Sequence, residues 1–311
     1  MKRVLFFNEH DYWGGKMEDE GVKIFPLYKR IPAILKPLRV LCFKYHFWPN
    51  IWYAKWKEVV NQAEVVILPA SNFSPLIAKQ LLNKIVNKEI RLIYWYWDSV
   101  RPKFSPSKVP DRWEKWSFDK ADCKRFSLKY NSTYYFDTIK LEKRQTKYDI
   151  IFIGQDKGRL STLLQLNDAF EKMGLVSYLH IVRDRKAILH KKYSYNKRIK
   201  YNEAIELLSQ STAILDLIQD NQSGLTLRVM ESLFFEKKLI TNNQDILNYN
   251  LYKKENIFVL GKDRQEDIPE FLEIPYKKID DEIIAQYEFC HWLNRIINNR
   301  ILEDGIKENI S

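Results

Sequence analysis

A strand, a turn and the start of a helix are encoded by the apolar run 213–218 and the stretch Gln222-Ser223-Gly224-Leu225-Thr226-Leu227-Arg228-Val229-Met230-Glu231-Ser232-Leu233 that follows it. Apolar residues return at helical spacing after Thr226, which predicts that a helix begins there. Gly224 permits a ligand to approach the backbone closely, and the first turn of a helix offers N–H groups and a positive dipole end. The segment therefore predicts a phosphate-binding turn.

Arg228 and Glu231 are three residues apart in this predicted helix, and their spacing allows two interpretations. In the first they form a solvated i, i+3 pair, worth a few tenths of a kcal/mol. In the second Arg228 binds a phosphate and Glu231 accepts hydrogen bonds from ribose hydroxyls. The spacing by itself leaves both interpretations open.

The composition is that of a soluble globular protein with a basic surface. Its 311 residues suit two domains better than one, and the net charge of +11 favours anionic partners such as nucleic acid, acidic lipid or phosphorylated small molecules. Cys42, Cys123 and Cys290 are far apart and are expected to be reduced. Neither a signal peptide nor a membrane span is predicted, so we expect a cytoplasmic protein that touches the inner face of the plasma membrane at most peripherally.

Short apolar runs alternate with helical segments along both halves of the chain, which predicts two parallel, doubly wound α/β sheets. The predicted parts are a first Rossmann-like domain at 1–137, a linker at 138–147, a second Rossmann-like domain at 148–279 and a long amphipathic helix within 280–311. The two domains are expected to face a cleft. The predicted strands lie at 3–8, 64–70, 91–98, 149–154, 176–182, 213–218, 238–241 and 256–260.

Three polar residues of the first half follow predicted strands and are candidates for proton transfer. His10 and Asp11 come after the first strand, and Asp98 ends the strand 91–98. Ligands of open α/β sheets bind at this end of the strands. The alternatives are an ordinary exposed loop for His10 and Asp11, and a cap or turn residue for Asp98.

Aromatic and basic residues interleave between residues 29 and 57. This pattern fits an interfacial membrane patch or lipid-acceptor site, a stacking surface for single-stranded nucleic acid, or two core-packing helices with basic outer faces. The sequence leaves the three possibilities open.

A second strand–loop–helix unit starts at Tyr148. Its strand ends at Gly154, and Lys157, Gly158 and Arg159 precede a helix predicted from Leu160. The N–H groups of that helix and two cations suit a pyrophosphate. The alternative is a solvated basic turn.

Motifs for other chemistries are missing from the sequence. It contains no Walker sequence, GxGxxG fingerprint or Gly-x-Ser-x-Gly elbow. No His, Cys and carboxylate cluster has metal-site spacing, and Cys290 and His291 are interpreted as packing and surface residues. We therefore predict no metal site.

The second half resembles the donor-binding domain of bacterial glycosyltransferases of the GT-B fold, and most of all those of capsular and lipopolysaccharide gene sets. The resemblance covers residues 145–262, whereas 116–122 and 128–130 fit the same group only loosely. It rests on Asp149-Ile150-Ile151-Phe152-Ile153-Gly154-Gln155-Asp156-Lys157-Gly158-Arg159, Tyr201-Asn202-Glu203, 209–216, 222–231 and Leu239-Ile240-Thr241-Asn242.

The resemblance implies that a nucleotide-sugar binds the second domain and the acceptor binds the first, without a metal or other cofactor. Glu231 would take the ribose hydroxyls, the segment 224–226 would take the pyrophosphate, and Tyr201 would border the base. The chain departs from the family in having no clear second glutamate in the donor motif. The implied donor-binding residues are Gly154, Lys157, Arg159, Tyr201, Gln222, Ser223, Gly224, Leu225, Thr226, Arg228 and Glu231.

The predicted function is transfer of a sugar from a nucleotide-sugar to a saccharide or lipid-linked acceptor in surface polysaccharide biosynthesis, with no nucleic acid as partner. Two alternatives are a catalytically silent protein with the same fold, acting as a scaffold, and a basic nucleic-acid-binding protein. The second alternative lacks a recognition motif.

Overall fold

The chain forms two compact units in a computed structural model that describes residues 3–8, 11–45, 47–184, 193–219 and 222–302. The first unit comprises Met1–Asn131 and Leu293–Ile301, and the second comprises Ser132–Trp292 and Leu302–Ser311. Residues 132–137, assigned from the sequence to the first domain, thus lie in the second unit. None of the described helices has the length and apolar character needed to span a bilayer.

The first unit contains a parallel six-stranded sheet in the order β2-β1-β3-β4-β5-β6. Val65 to Leu68 are all buried, because helices cover both faces of a parallel sheet and its strands become continuous apolar runs. The strands are β1 Val4–Phe7, β2 Lys23–Phe25, β3 Val65–Pro69, β4 Arg91–Tyr96, β5 Glu114–Ser117 and β6 Lys129–Tyr130. The helices are α1 Tyr12–Asp19, α2 Lys36–Lys44, α3 Lys57–Val60, α4 Ser74–Leu82 and α5 Lys120–Phe126.

The second unit contains a parallel five-stranded sheet in the order β11-β10-β9-β7-β8. Its central strands are buried for the same reason, and its predicted strands are all present. The strands are β7 Tyr148–Gln155, β8 Ser177–Val182, β9 Ser211–Asp216, β10 Lys238–Thr241 and β11 Ile257–Val259. The helices are α6 Leu160–Lys172, α7 Tyr201–Ser209, α8 Leu227–Phe234, α9 Ile268–Glu273 and α10 Asp281–Ala285.

Each sheet has one point at which the strand order reverses, and ligands of doubly wound sheets bind there. In the second sheet, β7 leads to β8 on one side and β9 leads to β10 on the other, so the reversal lies between β7 and β9. In the first sheet it lies between β1 and β3. The loops after these four strands are therefore the places where each unit can form a site.

Two predicted segments differ from the structure. The expected loop 8–15 is short, because Asp11 caps α1 through a 2.9 Å hydrogen bond from Gly14 N to its Oδ1. The expected long C-terminal helix is divided into α10 and α11 Phe289–Asn298. The division follows from Tyr135, whose backbone N–H donates to Tyr287 O and whose carbonyl accepts from Phe289 N, both at 2.8 Å.

Candidate functional site

The N-terminus of α8 is fixed by Thr226 and Asp216. The Thr226 hydroxyl accepts a hydrogen bond from Val229 N at 3.3 Å and donates to Asp216 Oδ1 at 3.0 Å. Asp216 ends β9, and its Oδ2 accepts a hydrogen bond of 3.2 Å from Thr241, the last residue of β10. One buried carboxylate therefore ties two strand ends to the helix cap. Burial raises the pKa of Asp216, and the hydrogen bonds from the two threonines oppose that shift.

Arg228 and Glu231 form a buried ion pair on this helix. Glu231 is 0% exposed and the Arg228 side chain 17% exposed, so the interpretation of a solvated pair is wrong. Arg228 Nη1 and Glu231 Oε2 are in contact, yet neither atom makes a well-directed hydrogen bond within the described residues. Burial raises the pKa of Glu231, while the Arg228 charge opposes the shift. Each of the two atoms has the other as its charged partner, so a ligand that binds either one would take the place of that partner.

Two tyrosines extend the pair into a chain of hydrogen bonds. Tyr201, the first residue of α7, donates to Glu231 Oε1 at 2.8 Å and shares a 2.6 Å hydrogen bond with the Tyr135 hydroxyl. Burial, and next the Glu231 charge, raise the pKa of Tyr201 far above its usual value. Glu231 Oε1 is thus held by Tyr201, and this fixes the direction in which Glu231 Oε2 points.

The loop after β7 is organised by Asp156, which is fully buried. Its Oδ1 accepts hydrogen bonds of 3.0 Å from both Gly158 N and Leu160 N, and its Oδ2 accepts one of 2.6 Å from the Tyr195 hydroxyl. Burial would raise the pKa of Asp156, but these hydrogen bonds lower it. A carboxylate thus occupies the N-terminus of α6, where the sequence suggested a pyrophosphate.

Arg159 lies at the reversal point between β7 and β9 and is engaged by protein carbonyls. Its guanidinium donates to Gln155 O at 2.6 Å, to Leu217 O and, through Nε, to Asp156 O at 3.2 Å. Phe152 lies under it, with the guanidinium carbon 5.3 Å from the ring centre. The residue therefore joins two strand ends and would have to leave these carbonyls to reach a ligand.

The remaining candidates of the second unit lie on the two loops at this point. Lys157 is in the α6 loop, in a left-handed conformation with φ 49°. Gly154 lies within β7, where a Cβ would come 3.0 Å from the Phe152 ring, so a larger residue would require that ring to shift. The α8 loop, residues 222–225, is held by Thr133, whose hydroxyl donates to Leu225 O at 2.5 Å, and by the Asn243 amide, which donates to Ser223 O at 3.4 Å. Gly224 within it is buried.

The acid–base candidates of the first unit lie along the carboxyl edge of its sheet. Asp11 follows β1 at the reversal point, where it caps α1, and His10 lies outside the described residues. Asp98 follows β4 and pairs with Arg101 at 2.7 Å. Beside Asp98, the exposed Trp97 is fixed by a 2.9 Å hydrogen bond from its Nε1 to Ala70 O. This edge thus offers carboxylates and an aromatic face.

One group of potential metal ligands is present in the described part of the chain, away from these loops. His291 Nδ1 lies 3.3 Å from Glu288 Oε2 and 3.4 Å from Cys290 Sγ. Sequence spacing did not suggest this group. Its contacts are those of the His291 ring with Glu288 at the start of α11 and weak thiol hydrogen bonds of Cys290.

Comparison with solved structures identifies the fold. A glycosyltransferase from Rickettsia africae ESF-5 matches with a TM-score of 0.51 at 9% identity, over 95% of this chain and 88% of that chain. AviGT4, a glycosyltransferase involved in avilamycin A biosynthesis, matches with a TM-score of 0.50 at 11% identity, over 96% of each chain. No protein-family profile and no curated protein matches the sequence. The chain has the α/β fold of GT-B glycosyltransferases, with two Rossmann-like units, as its sequence predicted.

Sequence reasoning missed Tyr135, Asp216 and Thr241, which position the site. Asp216 and Thr241 carried a signal, because both end strands that were predicted to stop at the carboxyl edge of the second sheet. Tyr135 carried none, because its partner Tyr201 is far away in the sequence.

Proposed function

We propose that this protein is a glycosyltransferase that moves a sugar from a nucleotide-sugar to a saccharide or lipid-linked acceptor in surface polysaccharide biosynthesis, without a metal. The observation that carries the proposal is the pair Arg228–Glu231. It is buried at a strand-order reversal, beside a helix N-terminus, and one atom of each side chain lacks a directed hydrogen bond in the described chain. A cation, a carboxylate and a helix N-terminus together suit a nucleoside diphosphate.

The diphosphate and the ribose of a nucleoside diphosphate would each have a complementary group at this place. The diphosphate would lie at the N-terminus of α8, over the loop 222–226. Arg228 would turn from Glu231 towards the diphosphate, and the ribose hydroxyls would then donate to Glu231 Oε2. Tyr201 would keep Glu231 Oε1 in place during this exchange. The buried ion pair is thereby replaced by two charge-assisted contacts with the ligand.

The reaction places new negative charge where this site can stabilise it. The acceptor hydroxyl oxygen forms a bond to the anomeric carbon, the bond from that carbon to the β-phosphate oxygen breaks, and the hydroxyl proton passes to a base. The leaving nucleoside diphosphate gains charge, which Arg228, Lys157 and the N-terminus of α8 would stabilise. Asp11 is the favoured base of the two described candidates, because it lies at the reversal point of the first sheet, and Asp98 is the second.

Independence from metal is supported by how the carboxylates near the site are used. Both carboxylate oxygens of Asp156 and of Asp216 accept hydrogen bonds from protein donors, which would have to be displaced to bind a cation. Glu231 Oε2 is already in contact with the Arg228 guanidinium. Arg228 and Lys157 supply positive charge instead. We therefore expect that removing divalent metal leaves donor binding unchanged.

The acceptor side of the proposal rests on the first unit. The fixed, exposed ring of Trp97 suits the apolar face of a sugar ring, and Asp98 beside it suits sugar hydroxyls. A lipid-linked acceptor would also require peripheral contact with the inner face of the membrane.

Thermal unfolding with a panel of nucleotides and nucleotide-sugars tests the proposal. At a ligand concentration of about 100 times Kd, one nucleoside diphosphate and its sugar should raise Tm by about 5 °C, with or without chelator. Arg228→Gln and Glu231→Gln should lose this shift. Lys278→Gln, which removes an exposed i, i+3 pair of the same unit, should keep it.

Three results would contradict the proposal in different ways. No shift across a complete panel would favour a catalytically silent scaffold. A shift that Arg228→Gln and Glu231→Gln both retain would place the nucleotide elsewhere. A shift abolished by chelator would overturn metal independence alone.

A further inference from the structure

The segment Gly21–Lys57 of the first unit, here called the basic segment, has an unusual charge pattern. It contains eight Lys or Arg residues and no Asp or Glu, in a chain whose net charge is +11. Among its basic residues, Lys29, Arg30, Lys36, Lys44 and Lys55 are exposed. A surface of this kind attracts an anionic partner and repels a second copy of itself.

Buried aromatic rings anchor the basic segment to the first unit. Phe43 of α2 is buried, with its ring centre 5.3 Å from that of Tyr28, 5.5 Å from that of Tyr53 and 5.2 Å from that of Phe73. Arg39 lies over the Tyr28 ring at 4.7 Å. Backbone hydrogen bonds from Lys29 N to Trp52 O and from Ala54 N to Leu27 O join the two ends of the segment. The inner side of α2 is therefore packed against the unit, and this packing does not use the side chains on the outer side of the helix.

The outer side of α2, together with the short 3-10 helix Ala33–Leu35 before it and Tyr45 after it, is apolar and exposed. Ile34, Leu38, Leu41 and Tyr45 follow one another at helical spacing and form an exposed stripe, here called the outer stripe, in which Ile34 is 84% exposed. Val40 beside it is exposed as well. A helix of a globular unit normally turns such a stripe towards the core. Here the core side is already filled by Phe43, so the outer stripe is available to a partner.

The chain beyond α2 adds further exposed apolar residues. Phe47 and Ile51 are exposed, and Trp48 is 76% exposed in a left-handed conformation with φ 41°. This conformation is costly for a bulky residue and places the indole at a turn before the short 3-10 helix Pro49–Trp52. Tryptophan favours the boundary between water and lipid.

We propose that the outer stripe and Trp48 dock on a lipid bilayer that carries anionic headgroups. The exposed aliphatic side chains would enter the boundary between headgroups and acyl chains, while Lys36 and Lys44 at the two ends of α2 would contact the lipid phosphates. Single-stranded nucleic acid fits less well, because base stacking uses aromatic rings and the stripe is mostly aliphatic. The surface does not depend on the proposed transferase activity; with that activity, it would hold the first unit beside a lipid-linked acceptor.

Vesicle binding by the full chain tests the docking surface. The protein should sediment with vesicles that contain about one-third phosphatidylglycerol and bind phosphatidylcholine vesicles roughly tenfold more weakly or less. The double change Leu38→Ser and Leu41→Ser, and separately Lys36→Glu with Lys44→Glu, should each reduce binding to the anionic vesicles by roughly tenfold or more. The altered side chains are all exposed, so Tm should stay close to that of the wild type.

Two matched controls test whether vesicle binding depends on the docking surface or on any exposed apolar residue or cation of the first unit. Val86→Ser changes a strongly exposed apolar residue of the same unit outside the basic segment, and Lys103→Glu changes an exposed cation there. Both should bind like the wild type. Brominated lipids should quench the tryptophan fluorescence of the wild type more than that of Trp48→Phe, because the indole is expected to enter the bilayer.

The proposal is overturned if the protein does not bind vesicles, or if the stripe variants bind them like the wild type. It is also overturned if the controls Val86→Ser and Lys103→Glu lose as much vesicle binding as the stripe and lysine variants lose. The surface would belong to a different partner if the wild type were a dimer that dissociates in the stripe variants. The same would follow if the protein bound an oligonucleotide but not vesicles. Nucleotide-dependent Tm shifts measured on the same variants distinguish a failure of docking from a failure of the transferase proposal.

Discussion

At the residue scale, the second unit shows how buried charged side chains are held in place by hydrogen bonds. Asp156 and Asp216 each accept hydrogen bonds from several protein donors, and Arg159 donates to three backbone carbonyls. These residues stabilise the two loops. Arg228 and Glu231 differ, because one atom of each makes no directed hydrogen bond in the described chain. We therefore assign the proposed ligand-binding role to Arg228 and Glu231, whereas Asp156, Asp216 and Arg159 keep the loops in position.

Gly154→Ala tests how closely the residues around the reversal point are packed. The new Cβ would lie 3.0 Å from Phe152 Cζ, so the ring must shift beneath the Arg159 guanidinium, whose Nη2 would be in ordinary contact at 3.6 Å. We expect a loss of about 1–3 kcal/mol in the free energy of unfolding, measured by urea denaturation. Gly15→Ala, where nothing lies within 4 Å, should instead be neutral or stabilise α1. Equal effects of the two changes would refute this account.

At the scale of single elements, helices of similar length are used in different ways. The buried face of α8 includes a glutamate, so this helix is both part of the core and part of the candidate site. Helix α2 is anchored by one aromatic residue and exposes an apolar stripe. Helical spacing is the same in both. What differs is which face the surrounding chain covers.

Thr226 is expected to link the stability of α8 to nucleotide binding. Thr226→Ala removes the cap and the donor to Asp216 Oδ1, and should lower the free energy of unfolding by about 1–2 kcal/mol. It should also weaken nucleoside diphosphate binding in calorimetry, because the first turn of α8 loses its fixed position. Thr226→Ser keeps the hydroxyl and should retain both properties.

Asp119→Ala is the matched control for this prediction. It removes the cap of α5 in the first unit, which accepts from Ala121 N and Asp122 N. We expect a similar loss of stability with unchanged nucleotide affinity. The explanation would be wrong if Thr226→Ala lost stability but bound nucleotide normally.

At the scale of the whole molecule, the chain returns to its first unit near the end. Leu293, Ile296 and Ile297 are buried there, and Arg91 donates to the carbonyls of Ile296 and Ile297 at 2.9 and 2.6 Å. Glu114 holds Arg91 through hydrogen bonds of 2.7 and 2.8 Å. A cation at a helix C-terminus is stabilising. The first unit is thus completed by residues that follow the second in the sequence.

The stability of this arrangement should depend on pH through Glu114. Burial would raise the pKa of Glu114, but hydrogen bonds from Arg91 and Lys129 outweigh it and the pKa lies below its ordinary value. The carboxylate therefore stabilises the fold above the unfolded-state pKa of about 4.3, and this contribution is lost as the pH falls through the lower, folded-state pKa.

Unfolding of Glu114→Gln at two pH values measures this contribution. At pH near 7 we expect the variant to be less stable than the wild type by about 1–3 kcal/mol, and the difference should shrink in acid. Asp111→Asn, which alters a fully exposed partner of Lys115, should change little at either pH. A deficit of Glu114→Gln that is independent of pH would contradict the mechanism.

The sequence by itself predicted the two parallel sheets and most of their strands, and it pointed to the turn before α8 as the candidate site. Fully buried parallel strands are continuous apolar runs, and a turn followed by an amphipathic helix marks the carboxyl edge, so both signals are local. It did not reveal α1, where Gly14 and Gly15 weaken the helical signal, and its predicted strands do not include the short strands β2, β5 and β6.

Only the tertiary structure decided what the charged residues do. The spacing of Arg228 and Glu231 is the same in a solvated and in a buried pair, and burial by Tyr201 and Tyr135 distinguishes the two. Arg159 resembles a phosphate ligand in the sequence, yet carbonyls at the ends of β7 and just after β9 engage it. The sequence left open whether the helix at 36–44 turns an apolar face to the core, and the structure shows that Phe43 fills the core side while the outer stripe is exposed. In each case the deciding contact joins residues far apart in the chain, because side-chain environments are set by long-range packing.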